Sequence, residues 1–353
     1  MYWYYVIIGL VLCGVVLSLE KDEKIRRYLQ IVYFPSILCV LALFVGFRSS
    51  SPDYGSYLDW FDSISRGSLV AADWGKDPAF VLVSYIVCML RGKFVVVALV
   101  FATTALASQF CFCRTVSDRK WITLFFYLVV CRTFIGSDMA SIRSAVAIPL
   151  MSISIVVASR GKRKFALLLY LVALTCHLSV LIGLLPFVLS MSKVRFSSRW
   201  WIVSVAFATI IVWVFLENIV VLLSFASRLS IYTSNLGEGH GPPSAYYIYI
   251  MMRMLFLALI MMLCWDNLSA ESRLALFCYS IGICLQIVLL FNNALSWRSS
   301  DIFGLFDIYA LTIPLKLLSG RSQAAYAVGL VALGGAFAYS SFSVMEPYRW
   351  IFS

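Results

Sequence analysis

Long apolar runs separated by short charged turns follow one another along almost the whole chain. Runs of about 17 to 25 residues have the length that an α-helix needs to cross a hydrocarbon core of about 30 Å. A transmembrane β-barrel would instead show short segments of alternating hydrophobicity. The pattern therefore predicts an all-α, polytopic integral membrane protein with about 11 transmembrane spans or re-entrant hairpins. We expect a single transmembrane domain over residues 1–353. The spans are predicted near 2–19, 28–46, 94–113, 121–137, 144–159, 165–190, 200–222, 246–265, 274–294, 302–318 and 323–342.

Two stretches do not fit a simple succession of crossings. The apolar part of 78–93 is short for a span, and we interpret it as an interfacial or re-entrant helix on the outer face. The run 165–190 is long for one span and has basic clusters at both ends. It predicts a helical hairpin that enters the membrane and returns, with its bend near His177-Leu178-Ser179.

Composition agrees with the membrane class and indicates an orientation. Of the residues, 62% are hydrophobic and only 13% are charged, which excludes a soluble globular domain. The net charge of +11 is spread over separate short loops, so topology explains it better than a nucleic-acid partner. The first span is predicted to be retained, and the charged cluster 20–27 follows it. By the positive-inside rule, the N-terminus is then extracytoplasmic.

Two predicted extracytoplasmic loops are large, near 47–93 and 223–248. The first combines carboxylates with aromatic side chains, as sugar-binding surfaces do, although aromatic residues also collect at any membrane interface. The second is rich in glycine and proline, which fits a mobile lid or a plain connector. The carboxylates of the first loop are Asp53, Asp59, Asp62, Asp73 and Asp77.

Arg48 stands at the outer end of the second predicted span. Such an arginine can be an anchor that extends toward the lipid headgroups. Against that interpretation, a turn through Pro52 brings Asp53 and Tyr54 back within six residues. The sequence therefore favours a charged site that brings Arg48, Asp53 and Tyr54 together.

Three further arginines map to the same side of the membrane in this topology. Arg143 begins the fifth span, where backbone N–H groups and a guanidinium together suit a phosphate. Arg253 lies about two turns inside its span, where a charge is costly and indicates a site. Arg298 precedes Asp301 at a predicted helix start, and these two could simply neutralise each other. Four guanidinium groups near one leaflet match the charge and oxygen geometry of a diphosphate.

His177 lies inside the predicted hairpin, in the run Cys176-His177-Leu178-Ser179. A lone histidine in an apolar stretch is often a hydrogen-bonded core residue. The functional interpretation is a neutral imidazole that accepts a proton from a hydroxyl group near neutral pH. Both interpretations remain open from the sequence.

These motifs together resemble those of the EpsG-like and Wzy-type polysaccharide polymerases of bacterial envelopes. One position departs from that pattern, because Ser144 stands where the family often has glutamine after the arginine. The matching segments are Phe47-Arg48 through Pro52-Asp53-Tyr54, Ile142-Arg143-Ser144-Ala145, His177-Leu178-Ser179-Val180-Leu181 and Arg298 with Ile302-Phe303.

The resemblance implies a polymerase of O-antigen, capsule or exopolysaccharide that joins oligosaccharide repeat units carried on undecaprenyl diphosphate. It acts at the periplasmic face of the bacterial inner membrane, and the fold resembles the C-type membrane glycosyltransferases. The reaction is implied to be metal-independent and without a cofactor, and a chain-length regulator protein is a possible partner. In this picture Arg48, Arg143, Arg253 and Arg298 hold the diphosphates. His177 is the candidate base, with Asp53 as the second choice, while Tyr54 and Asp301 position groups or bind sugar.

Two other functions remain open at this point. One is an O-antigen ligase or another polyprenyl-linked glycosyltransferase, which would make a single attachment where a polymerase makes a ladder. The other is a flippase for the same lipid-linked sugar. Transporters tend to show two related halves and polar residues near the membrane midplane. The charges here lie near the outer edge of the spans, and the sequence has no evident repeat.

Overall fold

The computed structural model describes residues 2–18, 24, 28–49, 51, 53–67, 77–139, 141–192, 200, 202–205, 244–290 and 293–342. Within these residues every regular element is a helix, which confirms the all-α class. The chain divides into two compact units. Unit 1 comprises 1–187 and 314–353, and unit 2 comprises 188–313. The single transmembrane domain expected from the sequence stays a prediction.

Fifteen α-helices are present in the described part of the chain. The first nine are α1 (Tyr2–Ser18), α2 (Phe34–Gly46), α3 (Tyr54–Ser65), α4 (Pro78–Met89), α5 (Phe94–Val116), α6 (Ile122–Val129), α7 (Ile142–Ser159), α8 (Arg163–Cys176) and α9 (Leu184–Met191). The others are α10 (Ser244–Leu263), α11 (Ala270–Val288), α12 (Asn293–Asp301), α13 (Gly304–Thr312), α14 (Pro314–Leu317) and α15 (Gly320–Phe342). A π-helical stretch, Leu29–Tyr33, precedes α2, and another, Val130–Asp138, continues α6.

The long apolar helices confirm a polytopic membrane protein. Five helices of the described chain, α5, α7, α10, α11 and α15, are long and apolar enough to cross a membrane. Several other predicted spans are shorter helices or are broken into pieces. Most of the predicted span 200–222, and the predicted loop near 223–248 up to residue 243, lie outside the described residues.

Helix α7 is the centre of unit 1 and packs against α5 and α8. It is buried on nearly all sides, although a membrane helix at the lipid boundary would expose one face. Small residues such as Ala145, Ala147 and Ser152 line it, and small side chains let neighbouring helices approach closely. By contrast, α10 and α15 expose most of their apolar side chains, as lipid-facing helices do.

The chain reverses direction after α8, at the bend predicted near His177. His177 has an extended backbone, and a 3₁₀ helix, Leu178–Gly183, separates it from α9. The rings of Tyr170 and Phe187 stack with their centroids 4.3 Å apart. A continuous helix would hold two residues at this separation in sequence about 25 Å apart. The bend of the predicted hairpin is therefore confirmed.

Helix α4 has the length of a re-entrant segment. Its 12 residues span about 18 Å, less than the hydrocarbon core of about 30 Å. A turn at Arg91–Lys93 joins α4 to α5, and the rings of Phe80 and Phe101 lie 5.8 Å apart. Because Phe101 is seven residues into α5, the beginning of α4 lies about 10 Å along α5 from its first residue. The beginning of α4 thus lies farther along α5, measured from the first residue of α5, than the end of α4 does.

Candidate functional site

Asp77 joins two of the predicted site residues in unit 1. It precedes α4, its side chain is only 5% exposed, and each carboxylate oxygen has its own partner. Oδ2 accepts a hydrogen bond from Nη1 of Arg143 and forms an ion pair with it. Oδ1 lies 3.1 Å from Nδ1 of His177. The carboxylate therefore links an arginine of α7 to the histidine at the end of α8.

Arg143 stands on the first turn of α7, as the sequence predicted, and aromatic side chains of α3 surround it. Its Nε donates a hydrogen bond of 3.3 Å to the hydroxyl of Tyr57. The guanidinium carbon lies 5.0 Å from the ring centre of Tyr57 and 5.3 Å from that of Trp60. The faces of such rings attract cations. The Tyr57 hydroxyl also lies 3.3 Å from the Ser141 hydroxyl, so α3 is fixed against the beginning of α7.

Among the side chains of Asp77, Arg143 and His177, two nitrogen atoms have no hydrogen-bond partner within the described residues. They are Nη2 of Arg143 and Nε2 of His177. The two side chains are 22% and 27% exposed, so both are accessible to a ligand. One is a donor suited to a phosphate oxygen, and the other can accept a proton. The site thus offers a hydrogen-bond donor for an anion and a base, one on each side of a buried carboxylate.

Arg48 lies inside unit 1 and does not face the lipid. It is 2% exposed and donates from Nη1 to the backbone carbonyl of Asp138, over 3.0 Å. The Asp138 carboxylate accepts a hydrogen bond of 2.7 Å from Gln109 on α5. Burial of this kind excludes the interpretation of Arg48 as a snorkelling anchor.

Asp53 and Tyr54 lie at the beginning of α3, near the two arginines. The Tyr54 amide hydrogen-bonds to the carbonyl of Ser51, which closes the predicted turn. Burial raises the pKa of the Tyr54 phenol, and the nearby charge of Arg48 acts in the opposite direction. Asp53 is within electrostatic reach of Arg143. Unit 1 therefore brings together the predicted residues Arg48, Asp53, Tyr54, Arg143 and His177.

The aromatic residues of the first large loop serve packing more than an open sugar platform. Tyr57 and Phe61 are buried at 2% and 6% exposure. Trp60 stacks on Phe80 with ring centroids 4.7 Å apart, and Phe61 lies 5.9 Å from Phe94. These contacts hold α3 against α4 and α5. Of Tyr57, Trp60 and Phe61, only Trp60 is partly exposed.

The other predicted site residues belong to unit 2. Arg253 on α10 is buried, and its terminal nitrogens donate to Gln286, Ser300 and Asp307 on three different helices. Arg298 is an exposed residue in the last turn of α12, and Asp301 ends that helix. The sequence placed Arg298 at a helix start, and that placement is wrong, because α12 begins five residues earlier at Asn293.

Basic side chains connect the helices of unit 1 near the end of α7, away from Asp77. Arg160, which follows α7, donates 2.7 Å to the carbonyl of Thr115 near the end of α5. Lys316 donates 3.1 Å to the neighbouring carbonyl of Val116. Because α7 and α8 are consecutive helices packed on each other, the beginning of α7 and the end of α8 share the other end. The Asp77 cluster and the basic cluster thus occupy opposite ends of α7.

The sequence alone gives no role to Asp77. It was one of five carboxylates in the loop 47–93, and nothing in the spacing related it to a histidine 100 residues away. One local signal existed, since Asp before Pro78 is a typical helix start. The Asp77 side chain makes no capping hydrogen bond to α4. Its carboxylate is instead used by the site.

The fold and this cluster together define an all-α membrane protein with a charged, partly accessible site at one end of unit 1. The profile of the EpsG family matches residues 31–351, and the chain belongs to that family. Family membership indicates a polysaccharide polymerase of the glycosyltransferase-like kind. Searches of curated proteins and of solved structures returned no match.

Proposed function

We propose that this protein polymerises oligosaccharide repeat units that are carried on undecaprenyl diphosphate, at the periplasmic face of the bacterial inner membrane. The donor is the growing glycan on its lipid diphosphate, and the acceptor is a single lipid-linked repeat unit. The product belongs to the class of O-antigens, capsules or exopolysaccharides. The observation that carries the proposal is the pairing of Arg143 and His177 on one buried carboxylate.

In this proposal Arg143 is the main residue that binds the diphosphate of the donor. Its Nη2 has no partner among the residues described, and it lies at the beginning of α7, where backbone N–H groups favour an anion. Arg48, which is buried beside Tyr54, adds positive charge to the same unit. Arg298 and Arg253 belong to unit 2, and their assignment to a diphosphate stays a prediction from the sequence.

His177 acts as the general base. Its Nε2 accepts the proton of an acceptor hydroxyl group while the hydroxyl oxygen bonds to the anomeric carbon of the donor glycan. The bond between that carbon and the diphosphate oxygen breaks, and undecaprenyl diphosphate leaves with both bonding electrons. The proton then passes from His177 to water. Asp53 is the second choice for the base, since its carboxylate lies near Arg143.

The reaction as proposed is metal-independent, because guanidinium groups offset the charge that develops on the leaving diphosphate. Arginine suits this task better than lysine, since its planar fork matches two phosphate oxygens at once. The nearby aromatic rings of Tyr57 and Trp60 also exclude water on one side of the Arg143 guanidinium. A lower local dielectric strengthens the attraction between arginine and phosphate.

Deletion of the gene tests the proposal. Surface glycan from the deletion strain is separated on a gel, and lipid-linked glycan is extracted from the same cells. The expected result is loss of the ladder of repeat units with one repeat unit remaining on the lipid. A ligase would instead leave an intact lipid-linked polymer that is not attached to its acceptor, and a flippase would leave the repeat unit on the cytoplasmic side. Either of these outcomes contradicts the polymerase.

A further inference from the structure

Asp77 has a geometry that a simple ion pair does not require. An arginine needs only one carboxylate oxygen for a charge-assisted hydrogen bond, yet the second oxygen of Asp77 is directed to Nδ1 of His177. The side chain also makes no capping hydrogen bond to α4, the helix that it precedes. The carboxylate therefore serves two residues that come from other helices.

The contact between Asp77 and His177 fixes the chemistry of the ring. A carboxylate accepts hydrogen bonds, so the nitrogen facing it, Nδ1, carries the proton of the neutral imidazole. The lone pair is then on Nε2, the atom that has no partner in the described chain. Nothing else among the described residues touches the ring nitrogens to impose this choice. Without Asp77, either nitrogen could carry the proton.

Asp77 itself is a poor candidate for the base. Its side chain is 5% exposed, and both of its oxygens already have partners. The ring of His177 is 27% exposed, and its Nε2 has no partner among the described residues. The histidine is thus the more exposed side chain of the pair and the better candidate for the base.

We propose that Asp77 is a positioning residue, which holds His177 with Nδ1 protonated and Nε2 ready to accept a proton and at the same time holds Arg143 beside it. The one carboxylate sets the distance between the base and the diphosphate-binding guanidinium. Both groups therefore keep a fixed position relative to one donor molecule. This inference rests on the proposed function, because it assigns Asp77 a role in that reaction.

The tautomer of His177 can be measured without any substrate. The chain contains 2 histidines, so the His240→Ala variant leaves His177 as the single histidine. Protein labelled with ¹⁵N-histidine is examined by NMR in membranes at about pH 8.5, where an ordinary imidazole is neutral. The expected spectrum shows a protonated Nδ1 and an unprotonated Nε2. A spectrum with the proton on Nε2 and a bare Nδ1 would overturn the proposal, whatever the reaction of the protein is.

Kinetics of Asp77→Asn provide the second test. The assay uses lipid-linked repeat units extracted from the deletion strain and protein amounts matched in membranes. We expect kcat to fall by at least about 100-fold, with KM within about threefold of the wild-type value, because Arg143 keeps its charge.

The exposed Asp118, in the turn between α5 and α6, gives the matched control, and Asp118→Asn should keep the wild-type kcat. Asp77→Glu, which retains the carboxylate, should have a kcat at least about tenfold higher than that of Asp77→Asn. A wild-type kcat in Asp77→Asn would refute the role. So would a loss explained entirely by a smaller amount of folded protein. If Asp77→Asn does not reach the membrane, the NMR measurement on the His240→Ala protein decides alone.

Discussion

Arg253 of α10 donates a hydrogen bond from Nη2 to Oδ1 of Asp307 on α13, over 2.6 Å, inside unit 2. Both side chains are about 95% buried. The same guanidinium donates to Gln286 on α11 and to Ser300 on α12. One arginine therefore connects the four consecutive helices α10 to α13. The sequence predicted that Arg253 is a charge inside a span, where burial is costly. The structure shows the side chains that hydrogen-bond to it.

The first prediction concerns this network. Removing one member of a buried ion pair leaves the other charge uncompensated, which costs about 3 to 5 kcal/mol. We therefore expect Arg253→Ala to lower the Tm of the detergent-solubilised protein and its amount in membranes. The exposed Arg321 on α15 is the control, and Arg321→Ala should leave the Tm unchanged.

The same variant distinguishes the two roles of Arg253. If Arg253 binds the diphosphate, as the sequence predicted, the Arg253→Ala protein should fold normally and show a raised KM for the lipid-linked donor. If Arg253 stabilises unit 2, the Arg253→Ala protein should instead have a lower Tm. A normal Tm with a raised KM would therefore contradict the stabilising role.

The second prediction concerns Arg143. Replacing it with alanine removes the donor proposed for the diphosphate and leaves Asp77 with His177 as its one side-chain partner in the described part of the chain. Loss of one such electrostatic contact lowers the rate by about 10²- to 10³-fold. Long polymer should be absent from the gel while the protein still inserts. Arg143→Lys should recover part of the activity, because a lysine keeps the charge without the planar fork.

Arg66 supplies the control for Arg143. It is an exposed arginine that follows α3 in the same unit. Arg66→Ala should give wild-type chain lengths. If Arg143→Ala also gave wild-type chain lengths, the assignment of Arg143 to the diphosphate would be wrong.

The third prediction concerns Arg48. Its hydrogen bond to the Asp138 carbonyl is buried and charge-assisted, and such bonds contribute about 1.5 to 3 kcal/mol. Arg48→Ala should therefore lower the Tm by several degrees, as measured by thermal unfolding in detergent. Arg48→Lys should recover less than half of that loss, since lysine lacks the terminal Nη1 donor that reaches Asp138. An unchanged Tm in Arg48→Ala would show that the buried contact does not stabilise unit 1.

The fourth prediction concerns the hairpin of α8 and α9. The Tyr170 ring stacks on Phe187, and its hydroxyl donates 2.9 Å to the carbonyl of Val180. Tyr170→Ala removes both contacts and should cost about 3 to 5 kcal/mol. Tyr170→Phe keeps the ring and should cost about 1 kcal/mol. Leu171→Ala is the control on the adjacent exposed position, with an expected change in Tm close to zero. Equal losses in Tyr170→Phe and Tyr170→Ala would contradict the role of the ring stack.

The length of the apolar runs predicted much of this fold. Helices α5, α7, α10 and α11 lie where hydrophobicity placed spans, because a helix that crosses lipid must satisfy its own backbone hydrogen bonds. The bend at His177 was also predictable, since the run 165–190 is too long for one crossing. The π-helical stretch Val130–Asp138 was not, because local packing decides where a helix changes its hydrogen-bond pattern.

The candidate site was predictable only in part. Arg143 stood out because a guanidinium at a helix start suits a phosphate, and His177 because titratable residues are rare within membrane segments. Their common partner Asp77 did not, since the five carboxylates of its loop look alike in sequence. Which of them meets His177 depends on the depth at which α4 begins, and that depth follows from ring contacts such as Phe80 with Phe101. Tertiary packing of this kind has no signature in a single sequence.

The most direct test of the whole account is polymerisation by the purified protein in lipid vesicles. The substrate is the lipid-linked repeat unit extracted from the deletion strain, and the products are separated on a gel over time. The account predicts a ladder of increasing repeat number together with release of one undecaprenyl diphosphate per bond formed. His177→Ala protein, reconstituted at the same amount, should give no ladder. A wild-type protein that leaves the repeat unit unchanged, or only moves it across the bilayer, would contradict the account.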